Sequence, residues 1–233
     1  MNRILSFIMI FFITTTFAQD SGISHLINQI KTKGINFKIN IQAYTDLNNM
    51  PEELIAIYGE EELKKRRVNQ IGTIKGAIKE NNYWIELKGV PSHSSEFHIF
   101  CDSESLWTYN KEINEVLITD SDEKSNPFNI LEKLSYSENE IVKNYSNKNP
   151  DLQAIDISIL SEIGNLPLFE INQVKKIRYI YKIKTLDPYQ LVIFLKNQDQ
   201  LILNITKEEN PKNQFNFIFT KEDYPNIEII DLR

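Results

Sequence analysis

Apolar residues fall at every second position through much of this chain. Phe37, Ile39 and Ile41 alternate with polar neighbours, the pattern of a half-buried strand. Residues 67–79, 81–89 and 96–101 read as further strands. The stretch FHIFCDSESLWTYNKEINEVLITD, residues 97–120, predicts strand, turn, strand, turn, strand. Its apolar residues do not keep to one side. Phe97, Ile99 and Cys101 alternate on one face and Phe100 sits on the other. Leu106 and Trp107 are neighbours and must point in opposite directions, and Leu117 is flanked by Val116 and Ile118. A sheet with one wet face alternates cleanly, apolar then polar. This sheet therefore needs a cover on each side.

Residues 152–160 resume the strand pattern, and residues 175–209 form a meander with turns at 186–188 and 197–199. Residues 211–219 predict one more strand, followed by a tail. Three segments carry the helical period instead. Ile23, Leu26, Ile27 and Ile30 share one face of a lead helix that Ser24 can cap and Gly34 can stop. Residues 51–67 predict a second helix, with Pro51 and Glu52 in its first turn. Asn126 before Pro127 opens a third, short helix that carries Phe128, Ile130, Leu131 and Leu134. The count is about ten or eleven strands, which predicts an antiparallel sheet curled into a barrel or half-barrel.

The first residues change the picture. Arg3 precedes an apolar run at residues 4–13, and Thr16 and Ala18 are small residues ahead of Gln19. This is the form of a secretory signal peptide cut after Ala18, which predicts export and one domain over residues 19–233. Cys101 is the single cysteine, so no disulfide can form within the chain, and it reads as a small buried hydrophobe. The formal charge of −6 gives no electrostatic reason to bind nucleic acid or an anionic membrane.

Candidate catalysis is thin. His93 and His98 are close in sequence and His25 is distant, with no metal-ligand spacing among them. No nucleophile elbow and no phosphate loop is present. The expectation is a non-enzyme without cofactor or metal. The two-sided sheet admits either an ordinary packed core or an inner face that holds an apolar ligand.

The residues Cys101, Asp102, Ser103, Trp107, Tyr109, Asn110, Glu115 and Val116 resemble a segment of the periplasmic lipoprotein carrier (LolA) family. The ending with Phe219, Tyr224-Pro225 and Asp231-Leu232-Arg233 resembles that family's C-terminus in one branch. The order of elements is similar over nearly the whole chain after the signal peptide. Three departures stand out. The family has glycine in the turn where Ser103 or Glu104 stands, residues 51–67 look inserted, and Lys79 takes the place of an arginine four residues before an aromatic, here Tyr83. Lysine offers a point charge where arginine offers a rigid fork.

The resemblance implies an incomplete, unclosed antiparallel barrel under an α-helical lid, with acyl chains held between them. It implies a monomeric periplasmic shuttle that takes acylated lipoproteins from an inner-membrane exporter to an outer-membrane acceptor. On this reading Tyr83, Phe97, Ile99 and Trp107 line the lipid cavity. Leu26, Ile27, Ile30, Lys79, Phe128, Ile130 and Leu131 belong to the lid. Two alternatives stay open, a lipid- or lipoprotein-binding sensor using the same fold and a lipid hydrolase.

Overall fold

Ile39 of β1 (Ile35–Tyr44) lies opposite Ile74 of β2 (Val68–Lys79) on one side and Ile205 of β11 (Gln200–Glu208) on the other. These pairs mark the centre of one large sheet. The computed structural model describes residues 22–89, 96–121, 139–142, 145, 149–157, 174–209 and 216–233. From β2 the sheet continues through β3 (Asn82–Lys88), β4 (Phe97–Asp102), β5 (Ser105–Asn110) and β6 (Glu115–Asp120). From β11 it continues through β10 (Pro188–Leu195), β9 (Val174–Lys182), β8 (Leu152–Ile157) and the short β7 (Asn139–Ile141).

A twelfth strand, β12 (Glu228–Asp231), adds parallel to β6 at the far edge. Every other neighbouring pair is antiparallel. Among the described residues no ladder joins β12 to β7, so the sheet is open, as expected. The strand predicted at 211–219 is absent over its described part, 216–219, and the tail supplies β12 instead.

Side-chain alternation divides the sheet into two faces. The inner face carries Ile35, Phe37, Ile39 and Ile41 of β1, then Ile74 and Ile78, then Tyr83, Ile85 and Leu87, then Phe97, Ile99 and Cys101. Ile155, Ile177, Tyr179, Leu191, Ile193, Leu203 and Ile205 carry the same apolar layer across the other half. Gly76 makes room for it. A Cβ there would come within 2.5 Å of the Trp84 carbonyl oxygen and 2.9 Å of the Phe37 ring. Phe37 pairs with Gly76 across the ladder, so the ring fills the place that a side chain at 76 would take.

The tight turns use residues other than glycine. Ser103 has φ 74°, in the left-handed region that glycine enters freely. Asp102 compensates, because its Oδ1 accepts hydrogen bonds from the backbone N–H of Glu104 at 3.1 Å and of Ser105 at 2.9 Å. The turn is thus held by a side-chain brace.

Three α-helices are described. α1 (Gly22–Thr32) already runs at Gly22, two residues ahead of the cap expected at Ser24. It ends as expected, with Gly34 at φ 70° and its N–H donating to the Gln29 carbonyl. The single helix expected over 51–67 is two, α2 (Glu52–Tyr58) and α3 (Glu60–Arg66), broken at Gly59 with φ 72°. Both stand between the paired strands β1 and β2, and of their described side chains only Leu63 is buried. Among the described helices α1 alone contributes residues to the inner-face cluster. The third predicted helix, with Phe128, Ile130 and Leu131, lies outside the described residues, as does the predicted signal peptide.

Candidate functional site

Leu26 and Ile30 of α1 lie on the inner face, buried in the same apolar cluster as Tyr83, Phe97 and Ile99, and Ile27 packs against it half-buried. The structure so brings together three residues expected in a cavity wall and three expected in a lid. Tyr83 lies opposite Cys101 and Ile99 opposite Ile85. Burial, followed by the neighbouring Cys101, pushes the Tyr83 phenol well above its ordinary pKa. Burial likewise raises the Cys101 thiol, against the opposing contact with Ser121 Oγ at 3.6 Å. Neither group ionises near neutral pH, so this face presents hydrocarbon and neutral hydroxyl or thiol.

Trp107 requires a correction. It pairs with Phe100 and Ile118, while its neighbour Leu106 pairs with inner-face Cys101. Trp107 therefore projects from the opposite, outer face and packs with Tyr109, Val116 and Ile118. Adjacent apolar residues show that a strand has two buried faces but not which residue takes which. Lys79 is also displaced from its expected role. It follows inner-face Ile78 and pairs with Asn82, so by alternation it leaves the sheet on the side away from α1.

Polar ties join α1 to the sheet at two described places. The Glu80 N–H donates to the Ile30 carbonyl at 3.3 Å, and the Lys207 ammonium donates to Gln29 Oε1 at 3.3 Å and to Asp187 at 3.1 Å. Beneath the helix a pocket of about 10 Å³ lies among Leu26, Ile35, Phe37, Pro188 and Ile205. That is room for about one water and far too little for a hydrocarbon chain. The same walls border an open groove of about 820 Å³, where Lys33, Lys182 and Lys207 stand with Asp187 and Glu208. At this place the apolar sheet face is covered by the side chains of α1.

The outer face of β4–β6 has its own cover, which sequence reasoning missed. Phe219, Tyr224 and Ile227 of the tail pack over Trp107, Tyr109, Val116 and Ile118. The Phe219 and Tyr224 rings stack at 4.9 Å, Phe100 meets Phe219 at 5.9 Å, and Tyr109 meets Tyr224 at 4.5 Å. The one signal for it in the sequence is the motif of Phe219 and Tyr224-Pro225, which by itself names no partner.

Beside this cover stand Glu86, Glu96 and His98, with potential ligand atoms within 4.8 Å of one another. They are not vacant. Lys88 reaches Glu86 and lies 3.4 Å from Glu96, and Lys111 donates to Glu96 at 3.0 Å. Partial burial works against the Glu96 charge, but the hydrogen bonds from Lys111 and His98 and the charge of Lys88 outweigh it and hold the pKa at about 2. Two ammonium groups already supply the positive charge a metal would bring, so this cluster is best described as an ion-pair network. His25 bonds Gln29 Nε2 within α1 at 2.8 Å, and His93 lies outside the described residues.

No protein-family model matches the chain, and no curated protein does. Solved structures match it over most of their length. An uncharacterized conserved protein from Thermus thermophilus shares 7% identity at a TM-score of 0.44, covering 89% of this chain and 98% of its own. A LolA superfamily protein from Nitrosomonas europaea shares 9% at 0.33, covering 89% and 99%. A putative outer membrane lipoprotein-sorting protein domain from Vibrio parahaemolyticus shares 8% at 0.35, covering 87% and 94%. Identities and TM-scores this low attach neither a family nor an activity to the chain.

Proposed function

We propose that this protein is a non-enzymatic periplasmic carrier that receives the acyl chains of lipoproteins and passes them from an inner-membrane exporter to an outer-membrane acceptor. It works as a monomer and without a cofactor. The observation that supports this most is α1, a short helix whose Leu26 and Ile30 plug one continuous apolar sheet face.

The magnitudes favour exchange. Burying a leucine or isoleucine is worth about 1.5–3 kcal/mol, so Leu26 and Ile30 together hold α1 down by roughly 3–6 kcal/mol. An acyl chain gains about 0.8 kcal/mol per buried methylene relative to water. Six or so methylenes, at about 0.8 kcal/mol each, therefore match the plug. Against a membrane the gain is near zero, because one apolar setting replaces another. Such a cavity loads only when the helix lifts and unloads when it returns, with no nucleotide bound by this chain.

The test mixes purified protein with inner-membrane vesicles that carry a radiolabelled tri-acylated lipoprotein. The expected result is label in the supernatant after sedimentation, in a complex with this protein. Label that stays wholly with the vesicles, at protein excess and with the native exporter and ATP present, overturns the proposal.

A further inference from the structure

Among the described residues two buried side-chain oxygens have no hydrogen-bond partner, the hydroxyls of Thr108 and Tyr179. Both residues belong to the inner face. Thr108 stands opposite inner-face Ile99, and Tyr179 stands between Leu191 and Ile155. Tyr179 is only 2% exposed. A buried hydroxyl left unpaired costs stability that a phenylalanine of the same shape does not. Both cross-strand neighbours of Tyr179 are aliphatic, so packing alone gives no reason for an oxygen there.

Tyr179 also lies close to the edge of α1. Its ring stacks on that of Tyr181 at 5.7 Å, and Tyr181 is the next residue of β9 on the same face. Tyr181 pairs with Pro188. Pro188 borders both the small pocket beneath Leu26 and the open groove beside it. A hydrocarbon chain entering where α1 lifts would cross Pro188 and Tyr181 and meet Tyr179 next.

The surroundings select the polar group that this oxygen can meet. Burial, followed by Tyr181 and the charge of Asp187, pushes the phenol well above its ordinary pKa, so it stays a neutral donor. Lys207 already answers Asp187 at 3.1 Å. A carboxylate brought to so buried a place loses its hydration, whereas a neutral carbonyl accepts a hydrogen bond at far smaller cost.

We propose that the Tyr179 hydroxyl is the polar anchor of the acyl site, donating a hydrogen bond to the carbonyl oxygen of a fatty ester or amide. This rests on the carrier reading and goes beyond it, by naming the group of the ligand that the protein recognises.

The probes are a pyrene-labelled fatty methyl ester, the ether of the same length and the matching free acid, delivered from cyclodextrin and read by fluorescence against the full chain. The wild type should bind the ester about three- to tenfold more tightly than the ether, the worth of one hydrogen bond. In Tyr179→Phe that ratio should fall to about one through loss of ester affinity. The thermal midpoint of the free variant should be equal or higher, because an unpaired oxygen has gone. Four outcomes overturn the proposal and leave the carrier reading standing. They are no preference for the ester in the wild type, the same preference in the variant, tighter binding of the free acid than of the ester, and a lower midpoint in the variant, the mark of a hydroxyl held by ordered water. No binding of any probe by the wild type overturns both.

Discussion

The Tyr224 hydroxyl lies 2.9 Å from Nδ1 of His98, a partner 126 residues away in the chain. Glu96 Oε1 stands 3.2 Å from the other ring nitrogen. This contact pins the tail to β4 and closes the aromatic cover over β5 and β6. Tyr224→Phe should lower stability by about 1 kcal/mol, one net hydrogen bond. Tyr224→Ala should cost about 3 kcal/mol or more, since the ring also packs on Tyr109 and Phe219. Urea unfolding gives the loss, and acrylamide quenching of tryptophan fluorescence should rise in the alanine variant only, as the cover over half-buried Trp107 is lost.

Gly76→Ala should destabilise by about 1–3 kcal/mol, because the added methyl meets backbone and the Phe37 ring. Gly76→Ala with Phe37→Leu should recover less than half of the loss. The closest obstacle is the Trp84 carbonyl, which a smaller side chain at 37 does not move. Thermal denaturation of the three variants checks both statements.

Ser103→Gly should stabilise the protein by about 0.5–1 kcal/mol. A left-handed backbone costs a residue with a Cβ roughly 1–2 kcal/mol, offset in part by the greater freedom of glycine in the unfolded chain. Asp102→Ala in the same turn should destabilise, since two backbone N–H groups lose their acceptor. Opposite shifts of the urea midpoint are the expected outcome.

Asp156 accepts a two-point hydrogen bond from Arg178, at 2.6 and 2.8 Å, and another from Lys176 at 2.7 Å. Partial burial works against its charge, but the two cations outweigh burial and hold the carboxyl below the ordinary aspartate range. A depressed folded pKa contributes stability above the unfolded value near 3.8. That contribution fades as the pH falls through the folded value. Asp156→Asn should therefore cost about 1–3 kcal/mol at pH 7, and the gap between variant and wild type should close at the acid end of a stability–pH curve.

Leu26→Ala and Ile30→Ala should each loosen α1, at a cost of about 2–5 kcal/mol to its docking. Hydrogen exchange should rise first in α1 and leave β1 and β11 protected. Uniform loss of protection across the sheet would mean that the helix is structural and does not move as a lid.

The inner face is legible in the sequence because each strand announces it locally. Phe37, Ile39 and Ile41 alternate, as do Phe97, Ile99 and Cys101, and these residues meet in the core. Gly34 marks the end of α1 because only backbone freedom is at issue there. The orientation of Trp107 is not legible, because a doubly covered strand has no polar face to set it. The place of the tail is hidden because β12 is four residues long and pairs in parallel with a strand far earlier in the chain. Parallel neighbours share no turn, so no local signal records them. Gly59 falls inside a convincing run of helix formers, and its break is visible only as a positive φ.

Because β12 completes the edge of β6, the order of assembly matters. Asn114 finds its partner at Asn226, 112 residues later in the chain. Until the tail arrives, the β4–β6 meander carries uncovered aromatic rings beside an unpaired strand. Such an edge is where one chain sticks to another, so refolding at low protein concentration should raise the yield of folded protein.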